Sequence, residues 1–154
     1  AGNADTAGIP TVVLSTAGTT NVVTGAIVAT SGSIFGSAYF DPTNLNTVVI
    51  PATKTKVYYV MVVDDPNVIF EIQEIGTGTV LTATEVGLNA SLVAGTNNGY
   101  VSGWMLDNGT EATTAALQLK ILRLAPRRDN ALGQYAKWWV LINNHTFRTG
   151  VAGI

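Results

Sequence analysis

The sequence predicts an all-β fold, an antiparallel β-sandwich with at most one short helix near residues 82–92. Two observations lead there. Roughly nine short runs rich in Val, Ile, Thr and aromatic residues are divided by Gly, Pro, Asn or Asp clusters about every eight to twelve residues, the rhythm of a sandwich. A length of 154 residues suits one domain with one core, and the absence of cysteine leaves stability to packing or to partners. Periodicity does not give strand order, so an immunoglobulin-like sandwich stands as the alternative to a jelly roll.

In chain order, residues 1–8 are small and polar, with no apolar face to bury, and are expected to form a flexible arm. The sandwich domain is expected over 9–148. Ile9–Leu14 and Asn21–Ala29 read as strands around a Ser-Thr-Ala-Gly-Thr-Thr turn. Ser31–Tyr39 mixes Gly, Ser and aromatic residues, and Pro42 marks a turn at Phe40–Asn44 before a short strand at Thr47–Ile50. Lys56–Val63, KVYYVMVV, is apolar on both faces and therefore calls for a second cover besides the core. Asp64-Asp65-Pro66-Asn67 turns the chain into Val68–Ile75, expected to form a hairpin with the preceding strand.

Thr82, with Glu85 three residues on, fits a helix capping box within Leu81–Leu92. Val93–Tyr100 reads as a loop, and Val101–Leu106 as a short strand ended by Asp107-Asn108-Gly109-Thr110. In Ala115–Leu124 the apolar alternation slips by one residue: Leu117, Leu119 and Ile121 share one face, Leu122 and Leu124 the other. A β-bulge near Ile121-Leu122 restores the inward face. A basic connection carrying Pro126, Arg127, Arg128, Asp129 and Asn130 leads to Lys137–Ile142, where Trp138, Val140 and Ile142 oppose Trp139 and Leu141. Residues 149–154 are small and are expected to form a flexible tail.

Charge is sparse and sorted. Charged residues are 12% of the chain, about half the usual share of roughly 25%, which suits a surface largely covered by neighbours. Residues 1–119 hold two basic residues against nine acidic ones, a balance of −7, whereas residues 120–154 hold six basic residues against Asp129, a balance of +5. Sorting of so few charges is either chance or a sign that the two segments face different partners.

Catalytic chemistry finds no support. His145 is the single histidine, in an Asn-Asn-His-Thr context typical of a turn. Asp64-Asp65 read as turn carboxylates diverging into solvent, and no phosphate-binding glycine loop is present. Two adjacent arginines without a basic face or stacking aromatics do not make a nucleic-acid site. No apolar run approaches about 18 residues, so no membrane span is expected, and neither is a metal or other cofactor.

The C-terminal half carries a signature: a Thr-Ala-x-x-x-Gly-Leu-Asn segment from Thr82 to Asn89, an Ile-Leu-x-Leu strand from Ile121, a Pro-Arg-x-Asp-Asn turn from Pro126, Gly-x-x-Ala-Lys-Trp from Gly133 and Ile-Asn-Asn-His from Ile142. This set resembles the capsid cement or decoration proteins of tailed bacteriophages. The resemblance implies a jelly-roll-like structural protein on the virion exterior that clamps subunits of the major capsid protein and self-associates as a symmetric dimer or trimer. Trp139, Leu141, Arg127, Arg128 and Tyr58 are the expected interface residues. The alternative is a carbohydrate-binding or adhesive sandwich, with Tyr58, Trp104 or Trp139 stacking on sugars.

Overall fold

The computed structural model describes residues 4, 8–31, 53, 59–96 and 102–154. These fall into two compact units, residues 24–65 and residues 1–23 with 66–154, a division absent from the sequence reading. Among the described residues every sheet is antiparallel, and the one helical segment is a 3-10 turn, Ala83–Glu85.

In the smaller unit, β1 (Ala26–Ser31) pairs with β2 (Tyr59–Val63), with a register shift between Ile27 and Ala29. Ile27, Val28 and Met61 all stand more than half exposed on this ribbon. The stretch 56–58, and with it the proposed interface residue Tyr58, lies outside the described residues, as do the expected turn at 40–44 and strand at 47–50.

The larger unit is built on a four-stranded sheet of order β3-β8-β7-β4, comprising β3 (Ile69–Gln73), β4 (Asn89–Ala90), β7 (Leu119–Leu124) and β8 (Lys137–Ile142). A separate ribbon joins β5 (Leu92–Ala94) to β6 (Trp104–Leu106). The β7–β8 ribbon matches expectation, including the bulge. Register shifts between Ile121 and Arg123, which returns Leu124 to the position opposite Trp138 and keeps the apolar set inward. The core lies beneath this sheet: Leu81, Ala90, Leu106, Leu119, Ile121, Trp138, Val140 and Ile142 are buried, with Phe70, Ile72, Leu92 and Leu124 packed against them.

Several expectations are corrected. The residues of the proposed hairpin partner, β3, pair with β8 instead, because Phe70 and Ile72 gain the core by lying beside Val140 and Trp138. The expectation of at most one short helix near 82–92 is met by a single 3-10 turn, Ala83–Glu85. The capping box does form, with Glu85 Oε2 accepting from Thr82 N at 2.6 Å, but no amphipathic stretch follows to lengthen it, and Asn89–Ala90 joins the sheet. Ile9–Leu14 is not a strand; only Pro10 bridges, to Ala4. Val12, Val13 and Leu14 remain exposed.

The tail at 149–154 is pinned rather than flexible. Val151 N donates to Asn143 Oδ1 at 3.0 Å, Gly153 N to Thr113 O at 2.9 Å and Ile154 N to Gly87 O at 3.2 Å. Close backbone approach makes this possible, since a Cβ at Gly150 would overlap the carbonyl oxygen of Ala115. Backbone hydrogen bonds, not apolar area, hold the segment.

Buried amides organise the irregular parts. Gln118 is fully buried; its Oε1 accepts from Gly18 N at 3.1 Å and Leu92 N at 3.0 Å, and its Nε2 donates to Thr16 O at 2.8 Å. Asn143 Nδ2 donates to Ala115 O and Leu117 O, and Asn89 Nδ2 to Thr114 O and Val151 O. An amide supplies donor and acceptor together without a charge to desolvate, so a chain poor in charged residues can still satisfy buried backbone groups.

Candidate docking surface

The alternation of β8 divides its two tryptophans. Trp138 is 1% exposed and enters the core, where its Nε1 donates to Glu74 Oε2 at 3.0 Å. Glu74 is itself buried, and its Oε2 also accepts from Leu81 N at 3.3 Å. Burial raises the Glu74 pKa above the ordinary carboxylate value, against the lowering effect of those two hydrogen bonds. This carboxylate is a core acceptor rather than a surface group.

Trp139 points the other way. Glu71 on β3 and Arg123 on β7 are its cross-strand neighbours, and the Arg123 guanidinium carbon lies 5.4 Å from its ring centroid. Leu141 follows on the same face, between Ile69 and Lys120. Trp139 and Leu141 are half-buried, Ile69 is exposed, and Arg123 is exposed. An apolar row edged by cations thus occupies the outer side of the sheet. Partly buried aromatic and aliphatic side chains beside arginine are a composition favoured at protein interfaces.

The β7–β8 connection, Ala125–Ala136, extends this surface at one end of the sheet. Asn130 holds its base closed: its Nδ2 donates to Ala125 O at 2.9 Å and Lys137 O at 2.8 Å, and its Oδ1 accepts from Lys137 N at 2.9 Å. Arg127 Nη1 meets Glu71 Oε1 at 2.6 Å, tying the loop to β3. Both partners are substantially exposed, so this pair contributes about 0–1 kcal/mol. Arg128 is exposed and has no partner among the described residues.

Beyond Asn130 the loop presents Leu132 and Tyr135, 52% and 56% exposed. Tyr135 has φ +64, a left-handed conformation that costs a non-glycine residue roughly 1–2 kcal/mol. Gly76 gives the ring room, because a Cβ there would fall on the Tyr135 ring. Neither residue was singled out from the sequence. The available signal was two large apolar side chains among polar and glycine neighbours within a turn; the left-handed backbone left no trace in composition.

The other sequence candidates form no site of their own. His145 is buried in a turn, with Nδ1 accepting from Phe147 N at 3.0 Å. Asp64 and Asp65 are exposed, and no cluster of three potential metal ligands occurs among the described residues. No helix among the described residues is long and apolar enough to cross a membrane. Comparison with protein families, with characterised proteins and with solved structures finds no match to this chain.

Proposed function

We propose that this protein is a structural virion component, similar to phage cement or decoration proteins, that binds the exterior of a major capsid protein shell and clamps neighbouring subunits. The observation that carries the reading is the outer row of the sheet, Ile69, Trp139 and Leu141, set among Arg123, Lys120 and the Arg127–Glu71 pair. Such a row suits burial against another protein. A ligand that binds only the assembled shell stabilises it by mass action, and needs no catalytic group to do so. On this reading the protein itself forms a symmetric dimer or trimer, and the sheets belong to a jelly-roll-like sandwich. Pairing of β3 with β8, rather than with a sequence neighbour, is the kind of long-range connection that Greek-key folds use.

Sugar binding by an exposed aromatic is less well supported. Arg123 lies over the Trp139 ring, Trp104 is half-buried, and Tyr58 is outside the described residues. The deciding experiment is co-sedimentation with empty shells of the major capsid protein. The protein is expected to pellet with the shells and to raise their dissociation temperature. Absence from the pellet, together with a signal on a saccharide array, would replace the capsid reading with the carbohydrate one.

A further inference from the structure

Building on the capsid-binding reading, we infer that the β7–β8 loop is the principal contact, with Leu132 and Tyr135 as apolar anchors and Arg128 as the cation beside them, and that it seats on a carboxylate-bearing protein surface with an apolar recess. Three observations converge on the loop. Its two large apolar side chains are each more than half exposed. Its backbone is already ordered, by the three Asn130 hydrogen bonds and the Arg127–Glu71 tie, so little conformational freedom remains to be lost on binding. And Tyr135 occupies a left-handed backbone that glycine would adopt without strain. Its ring lies over Gly76 yet stays more than half exposed, so much of its surface is open to a contact.

Charge selects the partner. Arg127, Arg128 and Asp129 lie in the loop, Arg123 and Lys137 flank it in sequence, and Glu71 pairs with Arg127, a local excess of positive charge in a chain of net charge −2. Glu71 is already engaged by Arg127. A two-fold contact through this loop would set the cations of one copy against the same cations of the other. An acidic surface instead meets Arg128 with a carboxylate, in the bidentate geometry that guanidinium favours.

The test uses the full chain and empty shells of the major capsid protein, comparing wild type with Tyr135→Gly, Leu132→Ser, Arg128→Glu and Trp139→Ser. Tyr135→Gly gives up the ring's packing over Gly76 but relieves the backbone, so a small net change in thermal stability is expected, with shell binding weakened about 30-fold or more, the loss typical of a hot-spot residue. Leu132→Ser should behave similarly. Arg128→Glu, fully on the surface, should lose about tenfold at low ionic strength and progressively less as salt is added. Loop variants that bind like wild type while Trp139→Ser does not would overturn the loop assignment and leave the capsid reading standing. Failure of the wild type itself to bind shells would overturn both. If sedimentation of the free protein shows an oligomer that the loop variants dissociate, the occupant is a second copy and the acidic-partner assignment is wrong.

Discussion

Trp138 and Trp139 are adjacent in sequence, identical in chemistry and opposite in circumstance. On the inner face, Trp138 is enclosed by Ile72, Leu124 and the rest of the core, and even its indole N–H is satisfied by a buried carboxylate. On the outer face, Trp139 has a charged residue on either side and a guanidinium over its ring. The difference teaches that apolar content on both faces of a strand does not mean two cores. One face stabilises the fold, and the other is left with surface whose burial is available to a partner.

This contrast can be broken from the inside first. Trp138→Ala should destabilise the protein by about 3–5 kcal/mol, read from denaturant unfolding, because it opens a cavity and removes a donor from Glu74. Trp138→Phe retains most of the volume, and the cost should fall to about 1–3 kcal/mol, the range for one missing hydrogen-bond partner. Equal losses for the two variants would mean that volume plays no part.

Two glutamates sharpen the same division through pH. The folded pKa of Glu74 lies above its ordinary value of 4.5, so the folded state holds that proton more tightly than the unfolded chain. Its contribution favours folding fully below 4.5 and is lost as pH rises through the raised folded pKa. Glu85 behaves oppositely. Desolvation is the largest single influence on it and acts upward, but the hydrogen bonds from Thr82 and Thr84 together outweigh it and leave the pKa below 4.5. Its contribution is present above 4.5 and is lost as pH falls through the lowered folded pKa. Glu74→Gln should therefore remove the decline in stability above 4.5, and Glu85→Gln the decline below it. Chemical unfolding across the pH range reads both, and unchanged pH profiles would place neither carboxylate in its assigned environment.

On the outer face the effects on folding shrink. Trp139→Ser should cost on the order of 1 kcal/mol of stability, mainly the Arg123 contact, while weakening shell binding far more. If it unfolds the protein as Trp138→Ala does, the outer face is a second core and not a docking row. Arg127→Ala should have the smallest effect, within about 1 kcal/mol and diminishing with salt, because the pair with Glu71 is exposed. A thermal melt at low and high ionic strength is sufficient to check it.

Local chemistry made much of this legible. The slip in apolar alternation at Ile121-Leu122 announced the bulge, Lys137–Ile142 was bounded as the strand proved to be, and Thr82 with Glu85 gave the cap. Where the reading failed, the deciding partner was distant in sequence. Ile9–Leu14 has strand-forming residues but among the described residues forms only the Pro10–Ala4 bridge, and the tail at 149–154 has little to bury yet finds hydrogen-bond partners at Gly87, Thr113 and Asn143. The candidate site divides in the same way. Trp139, Leu141 and the two arginines could be named from pattern and charge, whereas Leu132 and Tyr135 could not, because their exposure depends on a loop conformation held by Asn130 and by the space at Gly76.

By itself the sequence determined the all-β class, the alternation that separates Trp138 from Trp139, and the gathering of cations around the last two strands. Those are properties of composition and of the two-residue period of a strand, and they need no knowledge of what lies opposite. Only the tertiary structure decided that β3 pairs with β8, that Gln118, Asn143 and Asn89 fasten the irregular segments, and that Glu74 is a core residue. Each depends on groups far apart in the chain meeting in a place without water, where an unpaired backbone group or a charge is costly and the partner that relieves it can come from anywhere in the sequence.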